Sequence, residues 1–233
     1  MARSSRKKAA DKFRRAIARS NELHSQYLDD PDLFESYDRF TRWQLDYMLP
    51  FFSDLLESEG YAEAVDFIVS DLAGVGISDR DRDIARATPV IVRSLTTHPL
   101  ETAAAAVELN ARVLEINLDL CRALLVDGKL PPVIPEQDYL IACRTVSSYD
   151  ECMELVRLAV ELGETLKKLI RVPLIGGLLR TMRKPAHAAG FGALQEFLET
   201  GYLTFRRISD IDRFLELLQQ RMDQVFERIY TAD

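Results

Sequence analysis

RVPLIGGLLRTMRKPAHAAGFGALQEF, Arg171–Phe197, carries four glycines, two prolines, four Arg/Lys residues and one of three histidines, with no acid before Glu196. Its reading separates an α/β nucleotide fold, a membrane-inserting segment and an all-helical body. A phosphate loop needs G-x-x-x-x-G-K-[ST], or G-x-G-x-x-G, between a strand and a helix. Gly190-Phe191-Gly192 lacks the third glycine and the preceding strand. Insertion fails as well, because Arg180 ends the apolar run after about eight residues. Two closely packed helices fit best. Pro173 starts one and Pro185 the next, since a first-turn proline gives up no hydrogen bond. Leu174, Ile175, Leu178, Leu179 and Met182 share a face of the first. Gly190 and Gly201 edge the buried face of the second, where missing side chains allow close approach.

Working outward, nearly every segment has helical period and none alternates convincingly as a strand. Helices are predicted over about 6–28, 32–58, 61–73, 79–95, 99–127, 136–146, 149–170, 173–184, 187–206 and 210–230. Pro31, Pro99 and Pro135 sit at first-turn positions, and Pro50 and Pro89 should kink or split their helices. Ser78-x-x-Asp81, Ser148-x-x-Glu151 and Ser209-x-x-Asp212 resemble capping boxes. The segment 127–135 (DGKLPPVIP) is the one plausible linker. The fold expected is all-α, a single compact bundle of about 8–10 helices, some kinked by proline. Residues 1–30 read as a basic amphipathic N-terminal helix or arm, and 31–233 as the helical-bundle domain.

The net charge of −7 is uneven: residues 1–20 carry +7 and the remainder −14. A basic arm can meet nucleic acid or an anionic membrane. Only Phe13 is aromatic there, so base stacking is poorly supported. The favoured reading is that residues 1–20 dock on the chain's own acidic body or form a solvated helix end. An Arg-rich, acid-poor start also resembles an organelle transit peptide. No secretory signal and no transmembrane run is expected. Cys121, Cys143 and Cys152 contain no C-x-x-C pair and read as reduced thiols in a cytoplasm.

Polar residues on apolar faces supply the candidate site. Along 101–126, Glu108, Arg112, Glu115 and Asp119 form a charged face expected toward solvent. Opposite them, among Ala106, Val113, Leu120 and Leu124, stand Asn110 and Asn117. A buried amide costs free energy unless it is hydrogen-bonded, so the pair implies a structural network or a ligand site, the former favoured. His187 is expected to point inward near the start of its helix, with Phe191, Leu194, Leu198 and Phe205. His24 joins Phe13, Ile17 and Tyr27 on another stripe and reads as a satisfied core residue.

The stretches Arg42-Trp43-Gln44, Asp54-Leu55, Tyr61, Asp66–Leu72, Ser78–Asp81, Pro89-Val90, Glu108-Leu109 and above all Pro173–Phe205 together resemble a bacterial family called after an F-F-L-E-E-L-Y-G-P stretch. The likeness covers most of residues 40–220 and rests on the order and spacing of the motifs. It implies an α-helical fold and a bacterial cytoplasmic setting, and no activity. Ala73-Gly74-Val75 stands where the family has Y-G-P. Asn110 and Asn117 stand where relatives carry His and Asp, which implies that any metal held there is lost in this chain.

No catalytic residue, metal site or cofactor is assigned. No histidine follows an acid at Glu-x-x-His spacing, Cys and His do not cluster for zinc, and G-x-S-x-G is missing. Enzymatic activity is therefore not favoured. The leading expectation is a non-catalytic interaction or regulatory protein, with a protein partner or a second copy of itself. Its long C-terminal amphipathic helix (Phe214, Leu217, Leu218, Met222, Val225, Ile229) either offers one face for such a partner or simply packs on the chain's own core. The alternative is a sensor or carrier of a small, partly apolar anion. Trp43, Gln44, Asn110, Asn117 and His187 would line its interior pocket, with Arg171, Arg180 and Arg183 at the mouth.

Overall fold

The computed structural model describes residues 2–69 and 78–231, and the fold is all-α. In chain order the helices are α1 (Ala2–Leu28), α2 (Pro31–Met48), a 3₁₀ turn (Leu49–Phe52), α3 (Ser53–Leu56), α4 (Ala62–Phe67), α5 (Ser78–Ser94), α6 (Thr97–Ala123), α7 (Glu136–Val146), α8 (Tyr149–Ile170), α9 (Pro173–Ala188), α10 (Gly192–Arg207) and α11 (Ile211–Thr231). The helix predicted over 32–58 is split by the 3₁₀ turn containing Pro50, whereas Pro89 stays inside α5. The side chain of Ser78, Ala73-Gly74-Val75 and the end of the helix predicted over 61–73 lie outside the described residues.

Local chemistry sets the ends. Asp30 accepts from the backbone N–H groups of Asp32 and Leu33 at 3.1 Å, with Pro31 opening α2. Ser148 and Glu151 form a reciprocal capping box on α8. At α11 the cap is Asp210 rather than Ser209, since Asp210 Oδ1 accepts from Arg213 N at 3.0 Å. The expected break at Pro185 does not occur, and α9 runs on to Ala188. A proline near a helix end forfeits few bonds, so the stop falls at Gly190, whose φ is 77°. Phe191 N–H reaches Ala186 O at 2.8 Å and Gly190 N–H reaches His187 O at 3.0 Å, the two bonds of a Schellman ending. Segment 127–135 is a packed clip. Val126 and Lys129 exchange backbone bonds around Asp127 and Gly128 (φ 51° and 79°), and Leu130 and Ile134 are buried.

Two apolar cores form. The larger gathers Phe40, Leu55, Val65, Leu118, Tyr139, Phe214 and Ile229, among others, from α2 to α4, α6, α7 and α11. The smaller lies between α1, α5 and the first half of α6, and holds Ala9, Ala10, Phe13, Ile17, Val92, Leu100 and Ala104. Helix α6 enters both. Its most buried positions (Leu100, Ala104, Ala111, Leu118 and Cys121, each 0% exposed) lie roughly a third of a turn from the face expected around Ala106. Val113 is exposed, and Asn110 and Asn117 sit half-buried on the shoulder. The sequence pattern misleads here because α6 touches α1, α2, α7 and α8 and keeps no broad solvent face.

The basic segment is the first half of α1, laid along α6. Arg19 meets Glu115 and lies 3.7 Å from Glu108, on the face expected in solvent. Arg6 donates to the carbonyls of Val92 (2.7 Å), Arg93 (3.1 Å) and Leu95 (3.3 Å), satisfying groups that the end of α5 would otherwise leave open. Among the described residues no helix is long and apolar enough to cross a membrane.

Candidate functional site

The residues expected to line one interior pocket are held in separate places. Trp43 stacks on Tyr47 and meets Tyr139 edge-on, with centroids 4.8 Å apart. Gln44 Nε2 donates to the Tyr139 hydroxyl at 3.2 Å. These contacts give both α2 residues a packing role against α7. Asn117 is half-buried on α6. His187 does not point inward: it ends α9, its side chain is 45% exposed, and it faces Glu196 at 3.6 Å. The shift follows from the later helix stop, which moves His187 from the start of one helix to the end of another. Arg183 is beside it on an open groove and pairs with Glu199 at 2.8 Å. Arg180 is exposed, and Arg171 borders a different cleft.

Charge is buried where α1 meets α5. His24 is 8% exposed, with Nδ1 2.6 Å from Ser20 O and Nε2 3.1 Å from Asp81 Oδ2. The Asp81 contact is an ion pair off hydrogen-bond geometry, and Oδ2 has no hydrogen-bond partner. Asp81 Oδ1 accepts from Arg80, whose guanidinium lies 4.6 Å from the Phe197 ring centroid. Asp83 accepts from Leu194 N of α10 at 3.2 Å and from Arg86, which also donates to Gly190 O. This network ties α5 to α1 and α10. The sequence offered His24 as a core residue and gave no sign of its acidic partner 57 positions away.

The outer side of the molecule is different in kind. None of the described side chains of α9 is buried. Ile175 and Leu179 are half-covered, while Leu174 (80% exposed), Leu178 (58%) and Met182 (44%) form a ridge at one-turn spacing. Leu166, Leu169 and Val172 are exposed just before it. Lys168, Arg180 and Lys184 form no ion pair among the described residues, and no acid occurs between Arg171 and Gln195. Two glycines here differ. A Cβ on Gly176 would lie 2.8 Å from the Tyr202 ring, so bareness is required by packing; Gly177 faces open space. Gly201 abuts Phe67, whereas Gly190 serves the turn.

A cleft of about 360 Å³ opens where α8, α10 and α11 meet, lined by Ile170, Arg171, Tyr202, Arg206, Ile208, Ser209 and Ile211. Tyr202 and Arg206 were not singled out in the sequence, and Ser209 was read there only as a helix cap. The i, i+4 spacing of Tyr202 and Arg206 was the available signal. Among the described residues no group of His, Cys, Asp and Glu could hold a metal ion.

Comparison with characterised proteins and with solved structures finds no match to the chain. A family model matches residues 23–233, from the last turns of α1 to the end of the chain. The chain belongs to that family, described as a domain of unknown function, DUF8198.

Proposed function

We propose that this protein is a non-catalytic docking protein whose α9 ridge binds an acidic, apolar segment of a partner protein. The observation that carries the reading is a sixteen-residue helix with none of its described side chains buried and an apolar ridge facing outward. Burying a fully exposed Leu or Met is worth about 1.5–3 kcal/mol, so Leu174 and Leu178 hold most of that contribution in reserve and Met182 somewhat less than half. The unpaired Lys168, Arg180 and Lys184 select an acidic surface, as unlike charges across an interface steer the encounter. Gly177 supports the same reading. Helical glycine costs about 1 kcal/mol relative to alanine, nothing in the fold requires it, and a bare backbone admits a close neighbour. The resemblance to the F-F-L-E-E-L-Y-G-P proteins, with its bacterial and cytoplasmic setting, belongs to this proposal. Buried, unpaired Cys121, Cys143 and Cys152 suit a reducing compartment.

A photo-crosslinking amino acid at Leu178 tests it in cells. The expected result is one discrete adduct, mapped to an acidic and apolar peptide of another protein. The adduct should weaken in Lys168→Glu/Arg180→Glu/Lys184→Glu and in Gly177→Ala. An adduct indifferent to these changes, adducts to lipid alone or to a second copy of this chain, or no adduct would each overturn the proposal.

A further inference from the structure

The cleft between α8, α10 and α11 carries an inference independent of the docking ridge. Its polar lining is Arg171, Arg206, Tyr202 and Ser209, and its apolar lining is Ile170, Ile208 and Ile211. No carboxylate is among them. Most arginines of this acidic chain find an acid: Arg207 pairs with Glu63 at 2.7 Å, and Arg221 with Asp54 at 2.6 Å. Arg206 instead donates to the Tyr202 hydroxyl at 3.2 Å, its guanidinium 5.8 Å from that ring's centroid. Arg171 forms no ion pair among the described residues, and Asp212 on the adjoining turn is taken by Lys167. Two guanidinium groups thus border one cleft without an ion pair among the described residues, although Arg171 is near enough to Asp212 to help hold that carboxyl below its ordinary range.

We propose that this cleft binds a small organic carboxylate, its head group between Arg171 and Arg206 and its hydrocarbon body on Ile170, Ile208 and Ile211. Guanidinium groups grip carboxylates through paired N–H donors. The Tyr202 hydroxyl holds one of the forks in place, and Ser209 offers a further donor. About 360 Å³ is at the small end of ligand sites and limits the body to a short chain or a single ring. The competing explanation is that both arginines only offset the dipoles at the C-terminal ends of α8 and α10.

Titration of the full chain with hexanoate, acetate and hexylamine, followed by calorimetry and by NMR shifts, separates the two. Hexanoate should bind at least about tenfold more tightly than acetate, because only it covers the isoleucines. Hexylamine should not bind. Arg171→Gln and Arg206→Gln should each weaken hexanoate about tenfold with the melting temperature unchanged. Arg206→Lys should also weaken it, since a point charge lacks the fork; this variant decides the matter if Arg206→Gln fails to fold. No hexanoate binding, equal binding of acetate, or binding indifferent to all three substitutions would overturn the proposal. So would substitutions that lower stability while the native chain binds nothing.

Discussion

Replacing Phe13 by alanine tests whether the basic helix is structural. The ring is 1% exposed and belongs to the small core with Ala9, Ala10 and Ile17 of α1, Val92 of α5, and Leu100 and Ala104 of α6. Removing a buried Phe costs about 3–5 kcal/mol, the higher values applying where neighbours cannot collapse into the void. Three of the six other buried members of this core are alanines, too short to fill it, while Ile84, Ile91, Leu95 and Val107 pack only at its edge, so a loss of about 4 kcal/mol is expected. For a chain of this size each kcal/mol moves the midpoint by about 2–4 °C, which gives a drop of about 8–16 °C. Urea and thermal unfolding followed by far-UV circular dichroism measure both quantities. Arg15→Ala, at an exposed and unpaired position of the same helix, is the control and should stay within about 0.5 kcal/mol. A loss below about 1 kcal/mol for Phe13→Ala would refute the packing of α1 as a structural element.

Three further outcomes follow from specific contacts. Burial disfavours the His24 imidazolium, but Asp81 and the Ser20 carbonyl outweigh it and raise its pKa above the ordinary value of 6.5. The pair's contribution is then complete below about pH 6.5 and lost as pH rises through the higher folded-state value. Urea midpoints between about pH 6 and 9 should fall in the native chain relative to His24→Gln, and parallel curves would contradict this. Burial pushes the Cys121 and Cys143 thiols up to about 12. A disulfide reagent at pH 8 should therefore label them at least about a hundredfold more slowly in the native chain than in urea, and equal rates would show them to be accessible thiolates. Adjacent glycines should respond with opposite signs: Gly176→Ala drives a Cβ into the buried Tyr202 ring and costs about 1–3 kcal/mol, while Gly177→Ala meets nothing and gains up to about 1 kcal/mol. Urea denaturation of the two variants reads the signs directly.

Most helices were legible in the sequence because their ends carry local chemistry: Pro31 and Pro173 at first turns, and Ser148 with Glu151 on α8. Where local signals competed, position was lost. Pro185 was read as a start although Gly190, with its left-handed backbone, was the stop, and that difference turned His187 outward. The face of α6 was misread for another reason. Periodicity reports one apolar direction, and a helix covered on several sides has more than one. The site was less legible still. Arg171 was named among the cations at a pocket mouth, but its companion Arg206 lies across a tertiary contact that periodicity does not encode. Likewise the ridge of α9 was recognised as an apolar face, while its lack of cover is a property of the folded surface.

Helix α6 has 27 residues and is about 40 Å long. Its N-terminal half is held by the small core and its C-terminal half by the large one. Amide exchange along this single helix should therefore record two opening energies. Protection around Leu100–Ala104 would follow the departure of α1, and protection around Leu118–Cys121 would follow global unfolding. Backbone hydrogen bonding continues between the halves, so the step from one regime to the other falls within a few consecutive residues. A rod that belongs to two melting units is a strain gauge: what loosens the N-terminal helix is registered as fraying at a fixed position along it.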